Sequence, residues 1–219
     1  MLIVAVALLP VIVFLLVLVL ADSFKLVPFS TLSWALAGGA AAALVATALH
    51  AWLFRVTSFS PESFSRYVAP VTEESLKALV LIYFLKKHRI GFLVDAAIVG
   101  FAVGAGFAMI ENIDYLRFLP SRSIWVWLVR GFGTAILHAT TTAVIAIAAK
   151  ALMDRYPNRG LAVLVPGAIV AVLLHSAYNH ALVSPLLATA MMMVVLPLVV
   201  MTVFSRSEKP SMDSPGSAR

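Results

Sequence analysis

Residues 92–119 read FLVDAAIVGFAVGAGFAMIENIDYLRFL. The stretch is mostly apolar and longer than the ~20 residues that a membrane-spanning helix needs. Small residues recur every four positions, at Ala96, Gly100, Gly104 and Ala108. On a helix they form one ridge, which lets a second helix approach closely. Asn112 continues that ridge and Glu111 lies beside it. The carboxylate is therefore expected to point into a helix bundle rather than at lipid. An ionisable side chain in lipid costs roughly 2.5–3.5 kcal/mol on insertion scales, so Glu111 needs a reason.

The rest of the chain extends this reading. Of 219 residues, 62% are hydrophobic and 12% charged, and the mean hydropathy is +1.02. A soluble domain is about 45–50% apolar and about 25% charged. The expected fold is an all-α polytopic transmembrane bundle of about seven spans, near 2–21, 31–54, 70–86, 92–119, 124–152, 160–182 and 185–204. The third is the shortest and most polar. Residues 1–204 are expected to form a single transmembrane domain. The polar, Ser/Pro-rich tail 205–219 is expected to be disordered and cytoplasmic. With no cysteine, disulfides, thiolate nucleophiles and Cys-based zinc sites are excluded. The net charge of +6 sits at helix ends, where it serves topology and lipid headgroups. No nucleic-acid partner is expected.

Loop charges orient the bundle. Lys25, Lys86, Lys87, Arg89, Lys150, Arg155, Arg159, Arg206, Lys209 and Arg219 fall on one side. Only Arg55, Arg66, Arg117 and Arg122 fall on the other. The positive-inside rule then puts the N-terminus outside and the C-terminus inside. No basic residue precedes the first span, so it reads as an uncleaved span rather than a signal peptide. Between the second and third spans, Ser60-Pro61-Glu62 is a helix-start signature. It predicts a short interfacial helix leading into the third span through Pro70.

Four polar clusters interrupt the apolar spans: Glu73-Glu74-x-x-Lys77, Glu111-Asn112, His138, and His175-x-x-x-Asn179. In the orientation above, all four fall in the outer half of the bilayer, as one buried site requires. Glu73 and Lys77 share a helix face, as do His175 and Asn179. Each cluster also has a plainer reading. Glu73 and Glu74 could favour the positive end of a helix capped by Thr72, with Lys77 neutralising either. Asp114 and Arg117, close to Glu111, could mark a helix that has already reached water. His138 could be a hydrogen-bonded packing residue. Arg130 could pair with a carboxylate or extend outward. The conjunction is stronger than any member, and two carboxylates with two imidazoles suffice to bind a metal or activate a water.

This ordered set on four successive spans resembles the PrsW-type intramembrane proteases, which are related to the CAAX prenyl protease and bacteriocin-processing superfamily. The resemblance covers about 70–182, the expected catalytic core. Lys77 and Glu111, where the CAAX branch typically has Arg and His, favour the PrsW branch. The resemblance implies a multi-pass protease of the bacterial plasma membrane that cuts membrane-anchored proteins, such as an anti-sigma factor at site 1. It also includes relatives that act as scaffolds.

The residue types allow two mechanisms. In the first, His138, His175 and one Glu hold a catalytic zinc ion, and a second Glu is the general base. Glu111 as ligand and Glu74 as base is the preferred assignment, although the sequence does not separate the carboxylates. Asn112 or Asn179 would hold the oxyanion or orient a His. In the second mechanism, Glu73 or Glu74 activates water without metal, and the two His stabilise the oxyanion. A proton- or cation-coupled transporter and an inactive scaffold are the alternatives from other classes.

Overall fold

The computed structural model describes residues 2–22, 27–118 and 123–181, with single positions at 187, 189, 190, 194 and 198. The described residues are helical, without strands. Five helical stretches are long and apolar enough to cross a membrane: Leu2–Ala21, Phe29–Val56, Leu93–Phe118, Ile124–Arg155 and Pro157–His180. Many of their large apolar side chains face outward, including Trp34, Trp52 and Leu173, where lipid is their natural solvent. The expected third span is a helix of 18 residues, but it carries Glu73, Glu74, Lys77 and Lys86 and is not apolar by composition. The expected seventh span, 185–204, and the tail lie almost wholly outside the described residues.

The helices are α1 (Leu2–Ala21), α2 (Phe29–Val56), α3 (Pro61–Ser63), α4 (Ala69–Lys86), α5 (Leu93–Phe118), α6 (Ile124–Leu128), α7 (Ala135–Arg155) and α8 (Leu164–Ala181). α5 is the central member and is buried on most of its faces. The small-residue ridge does what its spacing predicts. Gly100 lies against Ala143 and Ala146 of α7, and a Cβ at Gly104 would sit 2.2 Å from the His138 carbonyl oxygen. The opposite side of α5 meets α2. There Gly106 lies against the Leu36 backbone and Gly39 against the Val103 carbonyl. Overpacking such contacts costs ~1–3 kcal/mol where side chains must shift. Here the obstacle is backbone, which yields less.

Two wide, π-helical turns interrupt the ladder. One, Phe64–Val68, joins α3 to α4; the other, Val129–Thr134, joins α6 to α7. The first rules out the plainer reading of Glu73 and Glu74, a helix capped by Thr72. Ser60 caps the helix by accepting from the Ser63 N–H, and Pro61 occupies its first turn, as the signature predicts. The chain then remains helical through Pro70 to Lys86. Glu73 and Glu74 are thus interior residues, away from the positive end of a helix. Thr72 Oγ1 instead bonds the Val68 and Ala69 carbonyls behind it.

Pro70 is tolerated because the bonds it breaks are made elsewhere. In the wide turn the Ala69 N–H bonds Phe64 O rather than Ser65 O. Pro70 has no N–H to offer Arg66 O. Both orphaned carbonyls are taken by α8: Asn179 Nδ2 donates to Ser65 O at 2.8 Å, and Ser176 Oγ donates to Arg66 O at 2.7 Å.

Candidate active site

The four clusters meet. α4 supplies Glu73, Glu74 and Lys77, α5 supplies Glu111 and Asn112, α7 supplies His138, and α8 supplies His175. All except Glu111 are buried. Glu74 Oε1 organises one side of the group. It accepts from Lys77 Nζ at 2.7 Å, His175 Nδ1 at 2.8 Å and Thr141 Oγ1 at 3.1 Å. Lys77 is fully buried, and its Nζ also lies 3.2 Å from His138 Nδ1 and 4.8 Å from the centre of the Phe107 ring. This explains Phe107 one turn before Glu111: it lines the underside of both Lys77 and His138.

These partners settle the imidazoles. An ammonium can only donate, so His138 Nδ1 accepts. A carboxylate accepts, so His175 Nδ1 donates, leaving the lone pair on Nε2. A carboxylate on the far nitrogen of a metal-binding His is the usual orienting partner. His175 has Glu74 in that position, where the sequence suggested Asn179.

The other side of the group is open to a cavity of about 450 Å³ bounded by α2, α4, α5, α7, α8 and the two wide turns. Glu73, Glu111, Arg130, His138 and His175 line it. Here buried atoms lack hydrogen-bond partners: Glu73 Oε2, Glu111 Oε2, His138 Nε2 and Arg130 Nη2. Glu111 Oε2 lies 2.8 Å from His138 Nε2 and 3.3 Å from Arg130 Nη2, but neither contact is aligned as a hydrogen bond.

The residues fit a metal ion. Ligand atoms of Glu73, His138 and His175 all lie within 4.8 Å of one another, and Glu73 Oε2, 3.8 Å from His138 Nδ1 and 3.9 Å from His175 Nε2, has no hydrogen-bond partner. The count of groups agrees: three carboxyl groups, Glu73, Glu74 and Glu111, face two cations, Lys77 and Arg130. An uncompensated buried carboxylate costs several kcal/mol, and a divalent cation removes that cost. Glu111, the preferred ligand from sequence, approaches His138 but is shared with Arg130. The adjacent Glu73 belongs to the convergent group instead.

Both asparagines are engaged by backbone. Asn112 Nδ2 donates to Ala7 O of α1 at 2.7 Å, and its Oδ1 accepts from Arg130 Nε at 2.9 Å. Asn179 Nδ2 is bound to Ser65 O. Arg130 and Thr141 are site residues that the sequence reading did not include in the site. Thr141 stands three positions after His138 and so shares its face, a usable signal. Arg130 could be read only as a cation able to pair with a carboxylate; its place 3.3 Å from Glu111 depends on the second wide turn.

No curated protein and no solved structure matches the chain. A family model does match, over residues 22–204, and its description is PrsW family intramembrane metalloprotease. With the apolar helices above, it makes the chain a multi-pass membrane protein, and the match takes in all four site-bearing helices. The chain belongs to the PrsW family of intramembrane metalloproteases.

Proposed function

We propose that this chain is a zinc-dependent endopeptidase that cuts membrane-anchored proteins inside the cavity, at a site in the outer half of the bacterial plasma membrane. An anti-sigma factor cut at site 1 is the substrate type proposed. The observation that carries the reading is the convergence of Glu73, His138 and His175 on one cavity wall beside Glu111, with Glu73 Oε2 buried and without a hydrogen-bond partner. Buried polar atoms that only join helices are normally hydrogen-bonded.

Glu73, His138 and His175 would hold the metal, which suits a mixed nitrogen and oxygen donor set. When bound, zinc would acidify a water and polarise the scissile carbonyl. Glu111 is the proposed general base. It reaches the cavity, whereas Glu74 is fully buried and its Oε1 already accepts three hydrogen bonds. Glu111 takes a proton from water as the water oxygen bonds to the carbonyl carbon. The proton then passes to the leaving amine as the C–N bond breaks. Glu74 and Lys77 hold His175 and His138 in the orientation this needs.

The test compares membrane proteomes of cells making wild-type protein and Glu111→Gln, under envelope stress. The expected result is a membrane-anchored protein that persists uncut only with the variant. Matching proteomes at equal protein abundance would count against proteolysis and for the scaffold or transporter. Chelation of the purified protein tests the metal separately: activity that survives metal removal would favour the metal-free mechanism.

A further inference from the structure

We infer that Arg130 is the residue that binds the oxygen of the scissile carbonyl and stabilises its negative charge during attack; this rests on the proteolytic reading above. Peptide hydrolysis needs a donor aimed at that oxygen, held so that nothing reorganises as charge develops. Arg130 meets these conditions. It lines the same cavity as Glu73, Glu111 and His138. Its Nε is tied to Asn112 Oδ1 at 2.9 Å, and its Cζ lies 3.4 Å from the centre of the Tyr115 ring. One edge and one face of the guanidinium are thereby fixed. Nη2 remains without a hydrogen-bond acceptor, 3.3 Å from Glu111 but out of line with it.

The other cationic or amide donors near the cavity are committed. Asn112 Nδ2 is bound to Ala7 O, Asn179 Nδ2 to Ser65 O, and Lys77 Nζ sits between Glu74 and His138. Asn112 is then a positioning residue that acts through Arg130. Its anchor is α1, which precedes the residues matched by the family. Pro10 has no N–H for the Val6 carbonyl. Gly131, next to Arg130, packs against that oxygen so closely that a Cβ would lie 2.0 Å from it. In the reaction, the carbonyl π electrons move onto the oxygen as the water oxygen attacks. Arg130 donates hydrogen bonds to the resulting oxyanion and transfers no proton.

The experiment uses the full-length, metal-loaded protein in proteoliposomes with a membrane-anchored peptide reporter that the wild type cuts. It measures kcat, KM and bound metal for Arg130→Gln and Arg130→Lys. Loss of one oxyanion donor costs about 10²–10³-fold in kcat; that fall is expected for Arg130→Gln, with KM and metal content unchanged. Arg130→Lys keeps the charge without the planar fork and should fall between. If Arg130→Gln does not fold, Arg130→Gly with added guanidinium replaces it, and restored kcat is the expected result. A rise in KM alone, a parallel loss of metal, or no change in kcat would overturn the assignment. A wild type that cuts no reporter would instead remove the proteolytic reading.

Discussion

The polar layer has two sides of unlike character. On one side, Glu74 Oε1 holds Lys77, Thr141 and His175 within 3.1 Å. On the other, Glu73, Glu111, His138 and Arg130 present unpartnered atoms to a cavity. The sequence does not separate them: Glu73 and Glu74 are neighbours of the same type. The difference teaches that one helix can carry a sealed carboxylate and a cavity-facing one side by side. Successive positions on a helix point about 100° apart, so one faces α7 and α8 while the next faces the cavity.

This division can be broken by substitution. The largest effect is expected on the open side. Glu111→Gln should lower turnover roughly 10²–10⁴-fold, the usual contribution of general base catalysis, with thermal stability and metal content unchanged. An unfolded or metal-free variant would show that Glu111 belongs to the structural side. Next, Lys77→Met leaves Glu74 buried without its cation. Removal of one partner of a buried pair costs about 3–5 kcal/mol, which thermal unfolding in detergent should show as a large fall in midpoint. A midpoint near the wild type would mean that Glu74 is satisfied by His175 and Thr141 alone.

Glu74→Gln probes the boundary between the sides. Loss of the carboxylate behind a metal-binding His typically costs about 10–100-fold in metal affinity. Zinc competition should read such a loss, and an unchanged affinity would detach His175 from the metal group. The smallest effect is expected furthest from the chemistry. Ser176→Ala removes one hydrogen bond to Arg66 O, worth about 1 kcal/mol, with kcat affected less than by any change above. A loss of turnover as large as that of Glu111→Gln would make the first wide turn part of the catalytic machinery rather than its support.

Parts of this architecture were legible because they depend on local spacing. The ridge from Ala96 to Ala108 reads as a contact face whatever it touches, and α7 proved to be the partner. Ser60-Pro61 reads as a helix start, and the Ser60 side chain caps it. Charge in the loops and polarity in the spans pointed to one shared site, and the four clusters do converge. Other parts were illegible for a physical reason. Pro70 inside α4 looks like a boundary until α8 is seen to supply Ser176 and Asn179 to the two carbonyls it and the wide turn release. Asn112 and Asn179 looked like groups for chemistry, but both serve backbone carbonyls more than 100 positions away.

The sequence by itself determined that this chain is an apolar helical bundle with one acid-and-imidazole centre, because burial of charge in lipid is too costly to be scattered. Only the tertiary structure decided which carboxylate is sealed, which faces the cavity, and that Arg130 joins them. Those choices depend on hydrogen-bond geometry between helices far apart in the chain, and helix periodicity carries no information about it.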